Sequence, residues 1–284
     1  MVKIGNVNLL KVVRRVEIGV FLSGGEGTEE SDILLPKRYV PEGADVGDEL
    51  EVFVFYDSED RLIATTETPL AKVGDFALLK VVSVNSVGAF LEWGLPKNLF
   101  LPFAEQSRNL SPGQNVAVFV YIDKSKRIAS SMRLDRHTEK SPADYKVEQK
   151  VELFIVGKTD LGFKAIINGR HIGVIYKNEV FQDIFYGQRL PGYIKKIRDD
   201  GKIDLILQPV GSKGAQDLGE KILEVLKSEG GFLPIHEKTS PEEIYDLFGV
   251  SKKKYKMALG GLYKKRLIFI EDDGVRLLKK NQIP

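Results

Sequence analysis

Three stretches of the chain decide its fold: VGDELEVFVFYDSEDRLIATT (residues 46–66), PGQNVAVFVYIDKSKRIASSM (112–132) and YGQRLPGYIKKIRDDGKIDLIL (186–207). Each holds a glycine turn, an alternating β-rich run, a charged hairpin tip and a second β-rich run. Upstream of each lies a glycine-centred strand, IGVFL at Gly19, VGAFLEW at Gly88 and LGFKAII at Gly162, followed by a short strand ending in LLP, FLP or VIY. The unit recurs about every 70 residues. Five short strands with a glycine kink in the second predict a small closed β-barrel of the OB type, built three times over.

The last quarter changes period. Leu218, Ile222, Val225 and Leu226 share one helical face in a run that stops at Gly230-Gly231. In SPEEIYDLFG, Ser240 reads as an N-cap, Pro241 as the first helical residue and Glu243 as the partner of a capping box; Gly249 ends the helix. Ser251 opens a third helix, with Tyr255, Ala258, Leu259 and Leu262 on one side and Lys253, Lys256, Gly260 and Lys264 on the other. RLIFIEDDGVRLL then reads as two strands around an acidic EDDG turn. Three helices and a hairpin make a winged helix, whose third helix is the one that reads nucleic acid in the helix-turn-helix class. The expected architecture is a mainly β multidomain chain: barrels over 1–68, 69–137 and 145–210, then an α+β winged-helix domain over 214–284. TEKSPAD (138–144) and the GSKG at Gly211 read as linkers.

Composition excludes several classes. With 284 residues and 43% hydrophobic content the chain can bury real cores, and no stretch approaches the ~20 apolar residues of a membrane span. Its N-terminus has no cleavable signal pattern, so cytosol is the expected compartment. Zero Cys rules out disulfides, thiolate zinc sites and cysteine nucleophiles. His137, His171 and His236 are scattered without ligand spacing, and SGGEGT at Ser23 lacks the Lys-Ser/Thr ending of a phosphate loop. No catalytic constellation, cofactor motif or metal site is found, so the expectation is a non-enzyme. Charge is unevenly spread: −7 over residues 1–68, then +4 over 69–140, +2 over 141–210 and +3 over 211–284. A polyanion is repelled by the first quarter and tolerated or attracted by the rest.

At the level of individual positions the repeats resemble the RNA-binding domain first named in the large ribosomal protein S-one. In that family the RNA face is made by two aromatics around the glycine of the second strand, a His on the third, and an Asp and Arg four apart near the last hairpin. The first repeat matches with Phe21, Asp57 and Arg61, and departs with Ile18 and Pro36. The second matches with Phe90, Asp123 and Arg127, and departs with Val87 and Pro102. In the third, Lys164 stands for the second aromatic, Tyr176 for the His, Arg198 for the acid and Lys202 for the Arg. The resemblance thus nominates Phe21, Asp57, Arg61, Phe90, Asp123, Arg127, Lys164, Tyr176 and Lys202 as RNA-binding residues. Three such domains before a winged helix, and phrases such as ALGGLYKKRLIFIEDDGVRLL, are similar to the bacterial conserved virulence factor B family, which implies an RNA-binding regulator of virulence and stress genes.

Residues 251–266 carry seven Lys or Arg and no acid. Lys252, Lys253, Lys256 and Lys264 are the candidate nucleic-acid contacts of the winged helix, although Glu271, Asp272 and Asp273 give the wing tip the wrong charge for phosphates. Single-stranded RNA is the expected partner, with no membrane. The alternative is a DNA-binding transcription regulator led by the third helix, with the barrels as protein-contact modules; the acidic first barrel and the winged helix are where DNA or a protein partner would bind.

Overall fold

The computed structural model describes residues 2–24, 31–57, 59, 61–140, 144–180, 182–208, 212–236 and 239–278. Most of SGGEGT and the centre of TEKSPAD therefore lie outside the described residues. Residues 1–139 form one compact unit and 140–284 a second.

Barrel 1 comprises β1 (Val7–Val16), β2 (Gly19–Leu22), β3 (Ile33–Pro36), β4 (Glu49–Tyr56) and β5 (Leu62–Thr65), closed in the order β1-β2-β3-β5-β4. Barrel 2 repeats that order with β6 (Phe76–Val84), β7 (Gly88–Glu92), β8 (Leu99–Pro102), β9 (Asn115–Ile122) and β10 (Ile128–Ser131). Barrel 3 repeats it again with β11 (Lys150–Lys158), β12 (Gly162–Ile167), β13 (His171–Tyr176), β14 (Arg189–Ile197) and β15 (Ile203–Ile206). Only the third and fifth strands run parallel, Leu34 beside Ile63, Phe100 beside Ala129 and Gly173 beside Ile203. Closure leaves no unpaired sheet edge.

Two local devices recur in every barrel. The first strand skips a residue where it meets the second, between Val12 and Arg14, Val81 and Ser83, and Ile155 and Gly157. Such a bulge bends the strand, which lets it pair with two neighbours at once. The second device is the kink glycine. A Cβ on Gly19 would lie 2.1 Å from the Leu35 carbonyl oxygen, on Gly88 2.5 Å from that of Leu101, and on Gly162 2.0 Å from that of Ile175. No side chain fits between second and third strands there, so the repeated glycine marks the point where the barrel closes.

Barrels 1 and 2 are packed together. Alternation along β4 sends Val52 and Val54 into barrel 1, yet Phe53 and Phe55 are buried as well. They are covered by barrel 2, where they join Ala71, Trp93 and Leu95 in its hydrophobic cluster. Trp93 meets Phe53 edge-on at 5.8 Å between centroids. The intervening segment is fixed by backbone bonds, Leu70 N–H to Trp93 O at 2.7 Å and Val73 N–H to Gly5 O at 2.8 Å.

In the second unit the winged helix contains α1 (Ser212–Ser228), β16 (Phe232–Leu233), α2 (Pro241–Phe248), α3 (Lys252–Lys264), β17 (Ile268–Ile270) and β18 (Val275–Leu277), with sheet order β16-β18-β17. The GSKG stretch is not wholly a linker: α1 already begins at Ser212, and only Gly211 falls outside the described residues. Ser240 Oγ accepts from the Glu243 N–H at 3.2 Å, and Gly249 ends α2 at φ 66°. Ser251 Oγ caps α3 through the Lys254 N–H at 3.4 Å. Tyr255 is fully buried, stacked on Phe248 at 5.1 Å, and its hydroxyl donates to Ile235 O at 3.1 Å; burial raises its pKa. The helical domain is seated on barrel 3 by Gln208, which donates to Gly249 O and accepts from Lys254 Nζ, each at 3.2 Å. That half-buried position lowers the Lys254 pKa, with Glu179 opposing the shift.

Replacing Gly88 by Ala tests the closure. The new methyl group meets the Leu101 carbonyl oxygen at 2.5 Å and the Phe100 ring at 2.9 Å, so the expected cost is on the order of 3 kcal/mol. Urea denaturation followed by fluorescence of Trp93, the single Trp of the chain, should show an earlier midpoint for Gly88→Ala. For Gly113→Ala, where a Cβ meets nothing within 4 Å and only the positive φ of 88° is strained, the loss should be smaller.

Candidate nucleic-acid interface

The three barrels place their candidate residues at equivalent positions, but the surroundings differ. In barrel 2, Phe90 on β7 lies opposite Phe100 on β8, and the half-buried rings are 5.4 Å apart with a 39° tilt. The residue facing Phe90 from β6 is Ser83. Val87, where the resemblance has the first aromatic, is 56% exposed. These groups, with Asp123 and Arg127 of the β9–β10 hairpin, line a cleft of about 670 Å³. Aromatic faces beside an exposed guanidinium are what single-stranded nucleic acid requires: bases stack and phosphates meet cations.

Barrel 1 has the same scaffold with its aromatic covered. Arg14, which faces Phe21 across the β1–β2 ladder, places its guanidinium carbon 4.3 Å from the Phe21 ring centre. The β3 residue opposite Phe21 is Leu34 rather than an aromatic. Arg61 is engaged too, pairing with Asp57 at 2.8 Å and Glu59 at 2.9 Å. In barrel 3 the exposed Lys164 faces Val174 and Gly157. Tyr176 Oη accepts from Arg198 at 2.5 Å, Arg198 also pairs with Asp204 at 3.0 Å, and Lys202 pairs with Asp200 at 2.7 Å. Barrel 3 therefore offers cations already bonded to their own acids, and one exposed lysine in place of a ring.

The two aspartates organise turns. Asp57 Oδ1 accepts from the N–H groups of Glu59 at 2.8 Å and Arg61 at 3.0 Å, while its Oδ2 accepts from the Arg61 side chain. Asp123 Oδ1 accepts from Ser125 N–H, Ser125 Oγ and Arg127 N–H at 2.8, 2.6 and 2.9 Å. Burial pushes both carboxyls up, but these bonds outweigh it and hold both below the usual carboxylate value. The spacing of Asp and Arg closes the hairpin and presents the Arg at its tip.

On the winged helix, Lys253, Lys256 and Lys264 are exposed on the outward side of α3, Lys252 is half-exposed, and Met257 lies among them at 54% exposure. At the wing, Glu271 is paired with Arg276 at 3.0 Å, so Asp272 and Asp273 carry the tip's acidity. Among the described residues no three His, Asp or Glu come together as a metal site, and no helix is long and apolar enough to cross a membrane. Sequence reasoning missed Phe100, whose signal was available: it sits two residues before Pro102, in register with the aromatic two residues past the kink glycine.

Family comparison fits this geometry. The S1 domain matches residues 4–67 and 73–133, and the CvfB-like winged helix domain matches residues 220–277. Conserved virulence factor B of Staphylococcus aureus is 24% identical over 98% of this chain and 95% of its own length. Over nearly its whole length the chain is similar to the conserved virulence factor B proteins. The uncharacterized protein YitL of Bacillus subtilis is 25% identical over 93% of this chain and 90% of its own. A solved structure described as a multidomain protein with nucleic acid binding domains, from Streptococcus pneumoniae, is 23% identical, covers 97% of this chain and 98% of its own, and superposes with a TM-score of 0.43. S1 domains and winged helices are nucleic-acid-binding modules and not enzymatic ones.

Because the Asp123 carboxyl is held below its ordinary value, its contribution to stability is complete above the unfolded carboxylate pKa, about 4, and is lost as pH falls through the folded value. Asp123→Ala is expected to cost about 1–2 kcal/mol at pH 7. That gap from wild type should close progressively below pH 4 in urea melts. A gap that persists unchanged at pH 3 would show that the hairpin bonds are not its source.

Proposed function

We propose that this protein is a non-enzymatic regulator that binds single-stranded RNA in the cytoplasm, with the strand held mainly on barrel 2 and the basic face of α3 adding phosphate contacts. One observation carries the reading: Phe90 and Phe100 form a ring pair beside Arg127 in a cleft open to solvent. A ring pair favours splayed bases, which a duplex keeps stacked inside. Through such binding the protein affects the expression of virulence or stress genes. Barrel 3 and α3 serve as electrostatic support, since one lysine in place of a ring gives attraction without stacking.

The second reading is a DNA-binding transcription regulator led by α3. Its support is the row of Lys253, Lys256 and Lys264 facing outward from a helix whose other side is buried. Competition decides between them. Matched single-stranded RNA, single-stranded DNA and duplex DNA are titrated at two salt concentrations; RNA is expected to win, and equal or tighter duplex binding would give the role to DNA.

Side chains separate stacking from charge. Phe90→Ala should weaken RNA binding about tenfold with little change in salt slope, because a stacked base is worth ~1–3 kcal/mol. Phe21→Ala should change it less than about twofold, since Arg14 already covers that ring. Lys253→Ala with Lys256→Ala should flatten the salt slope by roughly one to two without altering base preference. A thermal melt accompanies each measurement. A Phe90→Ala protein that melts early while its folded fraction binds RNA normally would make Phe90 a packing residue only.

A further inference from the structure

The cleft at Phe90 has a second wall that does not belong to barrel 2. Opposite Phe90, Phe100 and Arg127 it is lined by Phe55 and Tyr56, the last two residues of β4 in barrel 1. Lys97, on the loop between β7 and β8, ties the walls together: its ammonium donates to Asp57 O at 2.6 Å and Tyr56 O at 3.3 Å. An ammonium has three donors, so these bonds leave one for a ligand. Beneath the cleft the Phe53–Trp93 contact and the shared cluster hold barrel 1 against barrel 2, so the gap between the walls is set by packed side chains.

We propose that this cleft is a composite site for two consecutive nucleobases of a single strand, one lying against Phe90 and Phe100 and the next against Tyr56, with their phosphates between Arg127 and Lys97. The proposal rests on the single-strand reading above. Several features support it. The volume, about 670 Å³, is within the range of sites that enclose a small ligand. Rings from both barrels and the cations Lys97 and Arg127 line it. Polar atoms for base edges are present in Asn98 and Ser83, both of which line the cleft. Barrel 1, with a net charge of −7 over residues 1–68 and its own aromatic face covered by Arg14, then contributes to binding through β4 instead of through Phe21. A chain beginning near Leu70 would lose this wall and expose the Trp93 side of barrel 2, so the acidic barrel is not a dispensable spacer.

Binding of a mixed-sequence octaribonucleotide to the full chain tests the proposal, comparing Phe90→Ala, Tyr56→Ala, Tyr56→Phe and Phe21→Ala. Tyr56→Ala is expected to lose about tenfold in affinity, while Tyr56→Phe, which keeps the ring, and Phe21→Ala stay within about twofold. If Phe90→Ala weakens binding and Tyr56→Ala does not, the composite site is wrong and the single-strand reading stands. If neither variant changes RNA binding, both fall. Because Tyr56 adjoins Phe55 at the barrel contact, a second measurement uses the unaltered protein: the same RNA carrying 4-thiouridine is photocrosslinked and the attached peptides are identified. Crosslinks to both the Tyr56 and the Phe90 or Phe100 peptides support the proposal; crosslinks confined to barrel 2 overturn it. A free mononucleotide competing as strongly as the octamer would also overturn it, by making the cleft a small-nucleotide pocket.

Discussion

The architecture depends on a contact with no room for a side chain. At Gly19, Gly88 and Gly162 the second strand of each barrel passes so near the carbonyl of the third that a Cβ would sit 2.0–2.5 Å from its oxygen. That approach, together with the bulge one strand earlier, lets five short strands curl into a closed ring. It also sets where the candidate residues stand. In barrel 2 the side chain two residues after the glycine shares a cleft with the hairpin of the fourth and fifth strands, and the same spacing of acid and base closes that turn in barrels 1 and 2. Closure and presentation are therefore one constraint, and the candidate residue is placed by the same geometry that closes the barrel.

On that common frame the barrels have diverged in what they offer. Barrel 2 presents two rings and a guanidinium. Barrel 1 presents a ring already capped by Arg14, an internal cation–π contact worth ~0.5–1 kcal/mol at an exposed site. Barrel 3 presents a lysine, and its Arg198 is spent on Tyr176 and Asp204. Stacking is thus concentrated in one module, while charge is distributed over the later ones. Linked modules of that kind raise the effective concentration of each next contact, so a single stacking site can be reinforced by weak electrostatic ones if the strand spans them.

The winged helix follows a related economy. The side of α3 that carries Tyr255, Ala258, Leu259 and Leu262 is consumed by its own core, which leaves the lysine side for solvent or polyanion. Lys254 departs from that pattern: it turns to Gln208 and secures the domain to barrel 3. Within one run of lysines, then, position on the helix separates a cation that holds the unit together from cations that remain outside.

Much was legible in the sequence by itself. The spacing of the three glycine-centred strands and charged hairpins determined three closed barrels, because period-two patterning and a glycine at a fixed offset have few other solutions. The caps at Ser240 and Ser251 determined the helix starts, because a hydroxyl must satisfy the first free N–H groups. Other features were decided only by tertiary structure. Burial of both sides of β4, the covering of Phe21 by Arg14, the pairing of Phe90 with Phe100 and the wall supplied by Tyr56 all depend on residues far apart in the chain. Periodicity reports which side of its own strand a residue takes; it carries no information about which neighbour then covers that side.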